Sequence, residues 1–199
     1  MKRIAILIAI ALTGCSSTPP ETITYLLRPD APAGVMPVDR GARVALGRIS
    51  TAAYLDRVGI VLEDRNHRIT VARNHRWAEP LSESLRRMLQ VEISRAAGFG
   101  VGDEPVSGSR QEILIDVQIY QFHGAFSGAA KLIANWRLRK ANSDEIIKSY
   151  AFSRQAALRA DGYDILVQTQ IDLLVELAVA IAASLKEERA KSDVGLKGT

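Results

Sequence analysis

Residues 112–155 read EILIDVQIYQFHGAFSGAAKLIANWRLRKANSDEIIKSYAFSRQ, and their rhythm decides the fold. Ile113, Ile115, Val117 and Ile119 alternate with more polar neighbours across Glu112–Phe122. Across Lys131–Arg139, Leu132, Ala134, Trp136 and Leu138 alternate with Lys131, Asn135, Arg137 and Arg139. A period of two places each apolar set on one face of a strand. Gly124 and Gly128 bracket one turn, Asn142-Ser143-Asp144 marks a second, and Glu145–Gln155 follows. The stretch therefore predicts an antiparallel three-stranded meander with one buried face and one polar face.

A sheet with one apolar face needs a cover, and two segments on either side supply it. In Pro80–Arg95, Leu81, Leu85, Met88, Leu89 and Ile93 fall on one stripe at helical period. Pro80 suits the first helical turn, and Gly98 and Gly100 end the helix. Asp161 is placed to cap a second helix over Tyr163–Arg189, in which Leu166, Leu173, Leu177, Ile181 and Leu185 form a stripe widened by Ile171, Val175 and Val179. Residues 191–199 read as a flexible tail.

Upstream, Ile23–Leu27 and Arg43–Ile49 read as strands, separated by a proline-bearing loop from Pro29 to Pro37. Ala52–Arg57 reads as one helical turn, and Ile60–Leu62 with Ile69–Val71 as a hairpin about the polar turn Glu63–Arg68. The order is strands, helix, meander, helix. It predicts an α+β single domain over 23–190, a mostly antiparallel sheet with two main helices packed on one face.

The first 22 residues have a different chemistry. Lys2-Arg3 precedes an unbroken apolar run, Ile4–Leu12, too short to span a bilayer, which takes about 20 apolar residues. Leu12-Thr13-Gly14-Cys15 follows and resembles the lipobox of bacterial lipoproteins: a branched apolar residue, two small residues, then cysteine. Residues 1–14 are then a signal peptide and 15–22 a lipidated cysteine with a short tether. The thiolate of Cys15 is then the nucleophile that takes up the lipid, and the resemblance implies acylation of the new amino terminus as well, which makes the anchor effectively permanent. Ser16, where inner-membrane retention uses Asp, points to the outer membrane and its periplasmic face rather than the inner membrane.

Composition narrows the chemistry. Cleavage removes Lys2 and Arg3, leaving 24 basic against 22 acidic side chains. So small and dispersed an excess gives no footprint for nucleic acid. Cys15 is the sole cysteine, so no internal disulfide forms. The chain holds no G-x-S-x-G, H-E-x-x-H or P-loop motif. Gly98, Gly100 and Gly102 lack dinucleotide spacing. His67 and His75 read as polar-loop residues and His123 as a surface or rim residue at a strand end. Arg86 and Arg87 read as a solvated helix face. The expectation is no enzyme, no metal site and no cofactor beyond covalent lipid on Cys15.

One constellation is more specific. Arg43-VALGRIS is followed by Tyr54-Leu55-Asp56-Arg57, Gly59-Ile60-Val61 and Arg76-Trp77-Ala78-Glu79-Pro80-Leu81. Together with Thr24-Tyr25-Leu26-Leu27 and the later Gly128, Leu132 and Trp136, these resemble the ABC-type transport auxiliary lipoproteins of the Pqi type. Gly47-Arg48-Ile49 departs from the family's usual run. The resemblance implies a membrane-anchored docking lipoprotein that contributes to envelope integrity. Its implied partners are a periplasmic MCE-domain protein and an ABC permease in intermembrane lipid transport, with assembly as a homo-oligomeric ring. Tyr54, Leu55, Asp56, Arg57, Arg76, Trp77 and Glu79 are the candidate partner contacts. Asp56 and Arg57 serve equally as a local ion pair and Trp77 as a core anchor. The alternatives are a lipid carrier holding an acyl chain between sheet and helices, and a periplasmic hydrolase.

Overall fold

A computed structural model describes residues 21–28, 43–102, 112–143 and 145–196. The expected signal peptide, Cys15, the expected tether up to residue 20 and the loop expected from Pro29 to Pro37 lie outside the described residues. In chain order the elements are β1 (Ile23–Tyr25), β2 (Val44–Thr51), a single 3₁₀ turn (Ala53–Leu55), β3 (Gly59–Glu63), β4 (Ile69–Trp77), α1 (Leu81–Ala97), β5 (Ile113–Ala125), β6 (Ala129–Lys140), β7 (Ile146–Ala157) and α2 (Tyr163–Leu196).

The seven strands form one mixed sheet in the order β1-β4-β3-β5-β6-β7, with β2 joined to β5 beside that path. The meander β5-β6-β7 is antiparallel as expected, and so is the β3–β4 hairpin. Three pairings are parallel: β1 with β4, β2 with β5, and β3 with β5. One edge of β5 is thus shared, with β2 along Ile113–Ile119 and β3 at Gly124–Ala125.

A register shift between Ile119 and Gln121 reverses the alternation of β5. Ile115, Val117 and Ile119 face the core before it and Phe122 faces the core after it, paired with Leu132. The bulge re-aims the strand at that point. His123, expected at the surface, is 1% exposed: it lies on the face opposite Phe122, covered by the Tyr54 ring and beside Glu63.

The apolar face is covered by α2 over β5, β6 and β7, and by α1 against α2 and β2. Leu81, Leu85, Met88, Leu89 and Ile93 are all buried, each contributing about 1.5–3 kcal/mol of hydrophobic stabilisation. Leu173, Leu174, Leu177, Ile181 and Leu185 are buried from the other helix. Tyr163–Ala190 is long and apolar enough to cross a membrane by length and composition, and 61% of its apolar stretch is buried within the domain. A buried polar bond ties α2 to the sheet: the Trp136 indole N–H donates to Ser184 Oγ at 3.0 Å.

Helix termini differ from expectation. Pro80 has ψ 130° and stands just before α1, with its carbonyl accepting the Ser84 N–H. Gly162, not Asp161, accepts the first bond of α2, from Leu166 N–H. Gly98 closes α1 at φ +80°, the left-handed conformation open to glycine. At the C-terminus, α2 runs to Leu196.

Candidate docking surface

The segment Tyr54–Arg57 divides into buried and exposed halves. Leu55 is fully buried in the core. Tyr54 lies over the polar face of the sheet, its hydroxyl donating to the Tyr120 carbonyl at 3.0 Å and its ring edge-on to His123. Burial and the nearby Glu63 carboxylate raise its hydroxyl to about 12, so it stays protonated. Asp56 and Arg57 are exposed, and no ion pair joins them. Val58, which sequence reasoning did not single out, is 66% exposed immediately after them.

Arg76–Pro80 is mainly structural. Trp77 is 6% exposed, stacks on Phe122, and donates its backbone N–H to the Val58 carbonyl at 2.7 Å. It is therefore a core anchor. Glu79 accepts the Ser84 hydroxyl at 2.6 Å and pairs with Arg87. These contacts hold its carboxyl below the usual range, Ser84 contributing most. A carboxylate beside the first turn of α1 also suits the positive end of the helix dipole. Arg76 is exposed and donates to the Arg73 carbonyl. It pairs in register with Gly59, which brings it beside Val58. Of the seven candidates, Asp56, Arg57 and Arg76 thus remain as a surface, joined by Val58, while Leu55, Trp77 and Glu79 build the scaffold beneath.

This surface lies at the Gly59–Arg76 end of the β3–β4 hairpin, and the turn Asp64–Arg68 lies at the other. Strand β1 runs parallel to β4 with Ile23 opposite His75, so the chain approaches β1 from the turn side. Cys15 lies eight positions before Ile23, the same spacing as from His67 to His75. At ~3.3–3.6 Å per residue, the reach of that stretch matches the length of β4 down to the turn.

Two acidic clusters occupy the polar face. Glu63, 9% exposed, accepts Lys131 Nζ at 2.7 Å and His67 Nδ1 at 3.0 Å, and His123 Nε2 stands 3.9 Å away. Lys131 chiefly, then His67, lowers its carboxyl to about 2. Permanently ionised and held by two donors, it is mismatched to proton transfer near neutrality. Sequence gave no signal for it, since Glu63 and Lys131 are 68 positions apart. Asp116 accepts the Arg48 backbone N–H at 2.8 Å and Arg139 Nε at 2.9 Å, with Arg137 at 3.4 Å. Above it a cavity of about 230 Å³ is bordered by Arg48, Ser50, Gln118 and Tyr120.

Other polar residues also moved from their expected places. His75 is in β4, its ring 3.8 Å from that of Tyr163 and its Nδ1 bonded to the Tyr25 hydroxyl. Arg86 is half-buried and donates to the Gly47 carbonyl at 2.9 Å, tying α1 to β2. Among the described residues no three His, Cys, Asp or Glu side chains are grouped to hold a metal.

Comparison with known proteins gives one consistent family. Two curated relatives, the intermembrane transport lipoproteins PqiC of Escherichia coli (strain K12) and of Shigella flexneri, are each 28% identical over 188 residues. The match spans 93% of this chain and 97% of each relative. The fold is shared with a crystal structure of an uncharacterized protein at TM-score 0.69 and 23% identity, covering 83% of this chain and 99% of that one. A protein from Xanthomonas campestris matches at TM-score 0.63 and 12% identity, covering 88% and 93%. The family model for the ABC-type transport auxiliary lipoprotein component matches residues 25–182, and this chain belongs to that family.

Proposed function

We propose that this chain is a lipid-anchored docking subunit of an intermembrane lipid-transport system. Cys15 carries the acyl anchor, and the domain sits on the periplasmic face of the outer membrane. Its partners are a periplasmic MCE-domain protein and its ABC permease, met by a homo-oligomeric ring. The system contributes to envelope integrity, and this subunit performs no catalysis. Tyr54, through its cover of the sheet, and Leu55, Trp77 and Glu79, through the scaffold, position the contact surface of Asp56, Arg57, Val58 and Arg76.

The observation that carries this reading is the opposition of two ends. The chain enters β1 from the turn side of the β3–β4 hairpin, while Asp56, Arg57, Val58 and Arg76 stand at the far end. An adaptor between a bilayer and a periplasmic assembly needs its anchor and its contact surface so divided. The lipid-carrier alternative requires a chamber for an acyl chain. The apolar cavity between sheet and α2, bordered by Leu62, Gly124, Phe126 and Leu166, is about 230 Å³ and lies at the rim. That is below the ~300–1,000 Å³ of typical ligand pockets, so docking is the better supported function.

Mild detergent extraction of the tagged, lipidated protein from its native membranes, followed by mass spectrometry, tests this. Co-purification of an MCE-domain protein, lost on Arg57→Glu/Arg76→Glu, is the expected result. Recovery of the lipoprotein alone, with the partner expressed, overturns it.

A further inference from the structure

Three turns meet at the end of the sheet from which the chain enters. The β3–β4 turn holds Arg65 and Arg68, the β5–β6 turn holds Phe126, and the segment before α2 holds Arg159. They are joined by backbone bonds: Phe126 N–H donates to the Glu63 carbonyl, and Leu158 N–H to the Gly128 carbonyl. Phe126 is 61% exposed although core space is close by. Its neighbours Leu62, Gly124, Leu158 and Leu166 continue the apolar surface into the rim cavity. Arg65, Arg159 and Asp161 are exposed around it, while Arg68 is bonded to Asp64 at 3.0 Å.

We propose that this end of the domain seats on the lipid surface, with Phe126 entering the headgroup–acyl boundary and Arg65 and Arg159 meeting lipid phosphates. An apolar aromatic ring with cationic side chains around it is the chemistry of interfacial elements, which bury the apolar group in the headgroup–acyl boundary and leave the cations at the phosphates. The covalent geometry fits, because Cys15 is eight residues before Ile23 and reaches no farther than the level of this turn cluster. A tether that short holds the cluster against the bilayer instead of letting the domain tumble. With the anchor inserted, the exposed Phe126 ring leaves water for the bilayer. The inference rests on the docking reading for the anchor on Cys15 and not for the identity of the transport partners.

The test uses the full lipidated protein in phosphatidylcholine–phosphatidylglycerol vesicles with brominated acyl chains. Native Trp77 and Trp136 are 6% and 5% exposed, so they give a low, shielded background. Phe126→Trp adds an indole at the proposed contact. Asn142→Trp adds one in the exposed β6–β7 turn at the opposite end. The added emission of Phe126→Trp is expected to fall about two-fold or more, as for an aromatic seated ~5–10 Å into the interface. That of Asn142→Trp is expected to stay unchanged. Adding Arg65→Glu and Arg159→Glu to Phe126→Trp reduces the quenching. Equal quenching of both indoles, quenching of Asn142→Trp alone, or no quenching of either overturns the proposed seating. Quenching of Phe126→Trp without a co-purifying MCE-domain protein leaves the seating intact and removes the docking reading. Co-purification without quenching does the reverse.

Discussion

Replacing Gly47 by alanine would place a methyl group 2.2 Å from Asp116 Oδ1 and 3.3 Å from its Cγ. Gly47 lies where the β2–β5 register shifts between Leu46 and Ile49, and there Asp116 accepts the Arg48 N–H at 2.8 Å. The other Asp116 oxygen accepts Arg139 Nε at 2.9 Å. To admit the methyl group the carboxylate must turn away, which breaks the bond to Arg48 and disturbs that to Arg139. A hydrogen bond to a charged group contributes about 1.5–3 kcal/mol, and the remaining half-exposed pair about 0–1 kcal/mol. The expected cost of Gly47→Ala is therefore about 2–4 kcal/mol, read as a fall in the urea midpoint with an unchanged slope. In an Asp116→Ala background the space is open. Gly47 is not at a positive φ, so there the same substitution should cost under ~1 kcal/mol or gain stability through the unfolded chain. The cycle should yield a coupling of about 2 kcal/mol. Equal costs in the two backgrounds would refute the close approach as the reason for glycine here.

Gly59→Ala meets backbone instead: its Cβ would stand 2.2 Å from the Ala72 carbonyl oxygen. A cost of about 3 kcal/mol in urea unfolding is expected, and a wild-type midpoint would contradict it. Glu63 titrates at about 2 in the folded protein against 4.5 ordinarily, so its contribution is complete above about pH 4.5 and lost as pH falls through about 2. Lys131→Met should flatten that acid limb of the stability curve and cost about 1–3 kcal/mol at pH 7, between exposed and buried pairs; an unchanged limb would remove Lys131 as the main cause. Trp136→Phe leaves Ser184 Oγ without its buried donor and should cost about 1–2 kcal/mol. Combined with Ser184→Ala, its loss should be less than additive in the same unfolding assay.

Local periodicity made the β5-β6-β7 meander and the main stripe of each helix legible, because each depends on residues a few positions apart; Val179, read as widening the α2 stripe, is instead 53% exposed. Leu132, Ala134, Trp136 and Leu138 all reached the core face as read. What was not legible was choice between distant partners. Nothing near β2 or β3 states that the two share an edge of β5 in parallel, or that β1 joins β4. The β5 bulge escaped for a related reason: the apolar residues Ile119 and Phe122 read as one strand, but their odd spacing needed an extra residue to reach one face. His123 is buried for another reason: Tyr54, far away in the sequence, covers it on the opposite face. Among candidate contacts, the motif residues were found but their roles were mixed. A motif reports residues that matter together, and here Trp77 and Glu79 matter to the scaffold while Arg57 and Arg76 are exposed. Phe126, which the sequence reading did not single out, is distinguished by an exposure visible only in three dimensions.

A single substitution bears on the whole arrangement. Cys15→Ala, expressed at the wild-type level with its signal peptide, should leave the membrane pellet for the soluble fraction, and outer-membrane permeability should rise as in a deletion strain. Undiminished recovery of the variant in the outer-membrane fraction, with permeability intact, would mean that covalent lipid at residue 15 does not hold this domain in place.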